Sequence, residues 1–205
     1  MKLADSLRYA LYVLIHPFDG FYCLKHERKG RFAVANLIIG LLFICNLVRI
    51  RFLGFIFNEN DLKNVNFLIE ACKVFIPFIL WCVANFGVTT LANGKGNMRD
   101  IYLATAYALL PMVLFSIPTV LLSRVTTLQE GTFITIIEAF ALLWTIVLLL
   151  IGMMTIHDYS MSMNLFTILA TLLGMAAIML LALLFISLLQ QMYNFIYMVV
   201  RELIL

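Results

Sequence analysis

Five apolar stretches constrain what this chain can fold into, because each is about long enough to cross a lipid bilayer: Phe32 to Val48, Val74 to Leu91, Tyr102 to Leu122, Thr132 to Met154 and Leu165 to Leu189. Roughly 20 apolar residues rising 1.5 Å each match a hydrocarbon core of about 30 Å. The last stretch contains no charged residue. Only 12% of the 205 residues are Asp, Glu, Lys or Arg, about half the fraction usual in a soluble domain. The chain therefore reads as an all-α integral membrane protein: a five-helix transmembrane bundle with a short N-terminal amphipathic interfacial arm. Residues 1–31 form the arm and residues 32–205 the five-span transmembrane domain, and no connecting segment is large enough to bury a second core.

Within the arm, Leu3, Leu7, Leu11 and Leu14 recur near helical spacing with Asp5 and Arg8 off the stripe, which predicts a helix lying on the membrane. His16-Pro17-Phe18-Asp19-Gly20 interrupts it, since Pro17 cannot continue a helix and Gly20 permits a tight turn. The arm holds six basic residues against Asp5, Asp19 and Glu27, a balance of +3, while the remainder of the chain sets eight against eight. All of the net charge thus sits at the entry to the first span. That placement suits anionic lipid, where each basic residue near the surface contributes about 1 kcal/mol, and it argues against nucleic acid.

Counting Lys and Arg sets the orientation. Lys2, Arg8, Lys25, Arg28, Lys29 and Arg31 precede the first span, and Lys95 and Arg99 follow the second. They face Arg49, Arg51, Lys63, Arg124 and Arg201 on the other side, which predicts a cytoplasmic N-terminus. Arg49 and Arg51 are expected near an interface, where long side chains snorkel, with Ile50 to Phe57 as an interfacial turn or helix.

This orientation places the Asn93 to Asp100 loop, the Met154 to Ser160 segment and the His16 to Gly20 turn on one cytoplasmic face. Asp19, Lys95, Arg99, Asp100, His157 and Asp158 are its candidate residues, and a hydrogen-bonded network holding the loops together is the expected arrangement. His157 and Asp158 point about 100° apart on a helix, which is poor for chelation by the pair alone. No metal and no cofactor are expected.

Inside the membrane, Glu70, Lys73 and Glu138 are the candidate polar residues, because ionisable side chains within spans are functional candidates by default. Glu70 and Lys73 lie at i, i+3 and can pair. Glu138 has no basic neighbour on its own helix, and Lys73 or Asn85 is its expected partner across helices. Pro77 is expected to bend the second span or mark its entry. Ala104 and Ala108, and Ala170, Gly174 and Ala177, present small faces suited to close helix packing or to an oligomer.

Catalytic motifs are lacking. Gly94-Lys95-Gly96 has neither the Walker spacing nor a preceding strand. Serine-nucleophile and HExxH patterns do not occur, and the four cysteines have no CxxC spacing. The chain is not expected to be an enzyme, and no catalytic residue is assigned.

Gly94-Lys95-Gly96-Asn97-Met98-Arg99-Asp100, followed by Tyr107-Ala108-Leu109-Leu110-Pro111, resembles the Gly-x-Gly then Tyr-x-x-x-Pro core of the Yip domain family, five-span proteins named for interaction with Ypt and Rab GTPases. The His16 to Gly20 entry and the Met154 to Tyr159 segment are similar to that family's bacterial branch. The resemblance implies a helical membrane protein whose eukaryotic relatives act in vesicle trafficking. An arm of about 31 residues lacks the longer cytosolic region of those members, which argues against GTPase binding. Gly94 and Gly96 would permit a tight loop, and Pro111 and Pro118 would bend the third span.

The leading expectation is a non-enzymatic scaffold or adaptor in the cell membrane, engaging membrane lipid, a membrane-protein partner or a second copy of itself through its cytoplasmic face. The alternative is a transporter or channel component using Glu138, Glu70 and Lys73.

Overall fold

The computed structural model describes residues 3–54, 57 and 65–204. Lys2, Lys63, Phe55 and Ile56, which entered the charge count and the expected interfacial segment, lie outside the described residues. The described residues form α1 (Leu3–Ile15), α2 (Pro17–His26), α3 (Phe32–Phe52), α4 (Phe67–Leu91), α5 (Met98–Ala108), α6 (Leu110–Ser123), a 3-10 turn (Leu128–Glu130), α7 (Gly131–His157) and α8 (Met161–Ile204). Five helical stretches are long and apolar enough to cross a membrane: α3, α4, α5 with α6, α7 and α8.

The arm folds back on the bundle. His16 separates α1 from α2, and Pro17 starts α2 at the position where a missing N–H costs nothing. Gly20, expected in a turn, lies inside α2, where a Cβ would come within 2.8 Å of the Val13 backbone. Its smallness lets α1 and α2 touch. The Tyr9 hydroxyl closes this contact by donating to the Gly20 carbonyl at 2.5 Å. Ser6, Tyr9, Ala10 and Val13 face inward, whereas Leu7 and Leu11 of the leucine stripe face outward with Ile15, Phe18 and Tyr22.

The core lies between α3, α5 and α7, with Phe21 and Leu24 of the arm, Ile38, Ile101, Leu103, Leu148 and Ile156 all buried. Ala104 and Ala108 are fully buried, allowing the close approach that helices in lipid depend on. The third span breaks at Leu109, two residues before Pro111, so that Pro111 falls in the first turn of α6. Pro118 and Pro77 lie within α6 and α4, which continue as helices through them. Arg49 and Arg51 belong to the last turn of α3, and helix rather than an interfacial turn continues through Ile50 to Phe52.

The fifth apolar segment is longer than its hydropathy suggests. At 44 residues, α8 is about 66 Å long. Its first half packs on α4 through Thr171, which accepts from Asn85, and through Gly174, where a Cβ would sit 3.6 Å from Val88 and 3.7 Å from Ala84, while the buried Asn164 donates to the Leu150 carbonyl of α7. Ala177 of the expected small face is exposed, as is every residue from Met179 to Glu202.

Candidate functional site

Polar side chains collect at two ends of the bundle, about 28 Å apart along α7 from Glu138 to His157. At the end that carries the arm, α7 stops because Asp158 adopts a left-handed conformation (φ 55°) and turns the chain toward α8. The Asp158 carboxylate takes Lys25 Nζ of α2 at 2.9 Å and Lys95 Nζ of the α4–α5 loop at 3.3 Å. Lys25 is only 13% exposed and also reaches the Thr155 carbonyl at 3.5 Å. The hydrogen bond from Lys25, with a further contribution from Lys95, holds the Asp158 carboxyl below the usual carboxylate range.

His157 is buried beside this ion pair. Its Nδ1 accepts the Gly96 N–H at 3.3 Å, and Nε2 lies 3.3 Å from Asn85 Oδ1, so Nε2 carries the proton. Asn85 then donates to Thr171 Oγ1 at 3.2 Å, and Thr171 donates to the Thr167 carbonyl at 2.7 Å. Tyr159 stacks on the imidazole at 5.3 Å and donates to the carbonyls of Ala92 at 3.2 Å and Thr89 at 3.4 Å. With both imidazole nitrogens engaged, His157 has no lone pair for a metal, and among the described residues no three His, Cys, Asp or Glu side chains group as ligands.

The two glycines work here through size. A Cβ on Gly94 would lie 2.6 Å from both His157 Nδ1 and the Tyr159 hydroxyl; one on Gly96 would meet His157 Cε1 at 2.7 Å and Ile156 more closely still. Neither glycine has a positive φ, and the left-handed residue after α4 is Asn93 (φ 56°). The expectation of flexible turn glycines is thus replaced by one of close approach.

Lys95, His157 and Asp158 therefore meet, and the other three candidates go elsewhere. Arg99 lies over the Phe32 ring at 5.6 Å. The Asp100 carboxylate accepts the Asn97 N–H at 3.4 Å, capping α5. Asp19 sits exposed on the first turn of α2 and joins none of these contacts. Lys25, Asn85, Tyr159 and Thr171 were not singled out for this network. A signal for them exists in the pattern: Asn85 and Thr89 at i, i+4, and Asn164, Thr167 and Thr171 at steps of three and four, mark polar faces on apolar spans that must meet another helix.

At the opposite end, Arg49 Nη2 pairs with Glu138 Oε1 at 2.6 Å, joining α3 to α7. The expected partners of Glu138 were Lys73 or Asn85; Asn85 serves His157 instead, and Lys73 pairs with Glu70 at 2.6 Å. Glu70 is buried and also accepts Asn46 Nδ2 at 3.1 Å. Between these pairs and the core lies a cavity of about 530 Å³ walled by α3, α4, α5, α6 and α7, with Met175 of α8. Arg49, Lys73, Asn46 and Glu138 line it beside Leu42, Val74, Phe78, Trp81, Phe115 and Leu149. Trp81 Nε1 is buried without a hydrogen-bond partner among the described residues.

Comparison with known families matches the Yip1 domain to residues 11–199, nearly the whole chain. Comparison with curated proteins and with solved structures finds no match.

Proposed function

The chain belongs to the Yip1 domain family, and from that premise we propose that it is a non-enzymatic membrane scaffold or adaptor whose cytoplasmic face engages lipid or a membrane-protein partner. The observation that carries this reading is the docked arm. It is fastened by the Lys25–Asp158–Lys95 ion pairs and turns Leu7, Leu11, Ile15, Phe18 and Tyr22 outward beside the basic turn of Arg28 and Lys29. An apolar face next to basic residues matches an anionic membrane surface. Engagement of the His157 nitrogens and the Asp158 carboxylate in fixing the face supports a platform over a catalyst. The His16 to Gly20 entry and the Met154 to Tyr159 segment support the family's bacterial branch, and with it a cell-membrane location with the arm inside.

Because Lys25 holds the fold, the test leaves it intact. The triple variant R28Q/K29Q/R31Q should insert in the same orientation yet lose most enrichment of phosphatidylglycerol over phosphatidylcholine, or of its co-purifying membrane protein. Unchanged association in the correctly oriented variant would reject the reading.

A second reading, a transporter or channel component, is favoured by one observation: Glu138 and Lys73 both line a cavity inside the bundle. Its test is flux in proteoliposomes that falls in Glu138→Gln. Absence of any solute, ion or lipid movement in the parent protein would remove it.

A further inference from the structure

We propose that the cavity at the Arg49–Glu138 end is a binding site for a phosphate-headed lipid, with the phosphate on Lys73 and Arg49 and a hydrocarbon chain among the apolar walls. The volume of about 530 Å³ falls within the range of about 300–1,000 Å³ typical of ligand sites. Its walls are mostly apolar, and its charged residues gather on the ends of α3, α4 and α7 away from the arm, so a tail-inward, head-outward ligand fits the layout.

The sign of the head group follows from which ends of the ion pairs are open. Glu70 is 10% exposed, enclosed by Lys73 and Asn46, whereas Lys73 is 60% and Arg49 48% exposed. An ammonium has three donors and a guanidinium five, and among the described residues their ion pairs use one on each, to Glu70 and Glu138. The remaining donors can bind phosphate oxygens while both pairs persist.

Trp81 extends the same wall inward. Lys73, Pro77 and Trp81 lie on one face of α4 at intervals of four, which runs from the charged rim into the cavity wall. The Trp81 Nε1 proton is buried against the protein, with no acceptor among the described residues.

This site is separate from the arm-bearing platform, so either proposal can fail alone. The full chain in mild detergent would be titrated by native mass spectrometry with phosphatidylglycerol, polyprenyl phosphate, and their head-free counterparts diacylglycerol and polyprenol. A phosphate-headed lipid should bind at least tenfold tighter than its head-free counterpart, and the stronger of the two shows which source supplies it. Ala141→Phe and Met112→Trp, which fill the cavity from two helices, should each weaken binding at least tenfold. Lys73→Gln should weaken it and Lys73→Arg should restore it, while R28Q/K29Q/R31Q, which loses only the phosphatidylglycerol gathered at the arm, keeps the parent's affinity for the one lipid that the cavity-filling variants displace. The proposal is overturned if the head-free lipids bind equally, or if whichever cavity-filling variants keep parental helix content and elution volume bind as the parent does.

Discussion

Arg49 and Glu138 form an ion pair of 2.6 Å between the last turn of α3 and the interior of α7, and no pattern along either helix points to it. In hydrocarbon an unpaired charge is expensive, about 2.5 to 3.5 kcal/mol at the centre of a span on insertion scales. Removing one partner strands the other. Arg49→Gln and Glu138→Gln should each destabilise the protein in detergent, and the double variant should be less destabilised than their sum by about 0.5 to 3 kcal/mol. Additive effects in denaturant titrations would show that the pair is not coupled.

Gly96→Ala tests the close approach of the α4–α5 loop to His157. The added methyl meets Ile156 and the imidazole, and overpacking of this kind costs typically about 1 to 3 kcal/mol. Gly40, in α3, has open space around it. Gly40→Ala should therefore be neutral or stabilising by up to about 1 kcal/mol through helix propensity. Melting curves of the two variants should move in opposite directions or differ by several degrees, and equal shifts would contradict the packing described.

Acid should unfasten the arm through Asp158. Its carboxyl is depressed by Lys25 and Lys95, so its contribution is present above the unfolded value of about 3.9 and is lost as pH falls through the lower folded value. Asp158→Asn should lower thermal stability at pH 7 by about 0.5 to 1 kcal/mol, the upper range for exposed pairs, and the gap to the parent should shrink progressively as pH falls below about 4. A gap that does not shrink as pH falls below about 4 would assign the effect to packing.

Tyr9→Phe removes the buried hydrogen bond from α1 to the Gly20 carbonyl while keeping the ring against Tyr107. A loss of about 0.5 to 1.5 kcal/mol is expected, concentrated in the arm. Hydrogen exchange should rise in α1 and α2 and stay unchanged in α7; a uniform rise would place Tyr9 in the global core.

The spans were legible because run length and hydropathy report directly on the solvent. What lay beyond that depended on which faces meet. Glu138 was visible as an anomaly, but its partner was not, since nothing on α7 distinguishes Arg49 from Lys73 as the cation across the gap. The convergence of Lys95, His157 and Asp158 followed from topology. Lys25 was read with the lipid-facing basic cluster because a lysine beside a span looks alike whether it meets a headgroup or a carboxylate. Gly94 and Gly96 were recognised by type but with the wrong physical role, as backbone freedom and absence of bulk leave the same letter. The helix runs on past the expected end of the span at Leu189, because Gln190, Gln191 and Asn194 interrupt the hydropathy without interrupting the helix.

That overhang makes α8 a gauge of membrane thickness. Even at a steep tilt of about 40°, a hydrocarbon core of about 30 Å is crossed by roughly 26 residues of helix, and the apolar run from Leu165 to Leu189 fills that length. The rest of the 44-residue rod must then ride in the headgroups or beyond them, with Gln190 and Gln191 marking the waterline. A thinner bilayer would draw Leu188 and Leu189 out of hydrocarbon, and a thicker one would pull the glutamines in. Bilayer depth therefore decides how much of α8 beyond Met179, the part that is exposed throughout to Glu202, lies in hydrocarbon.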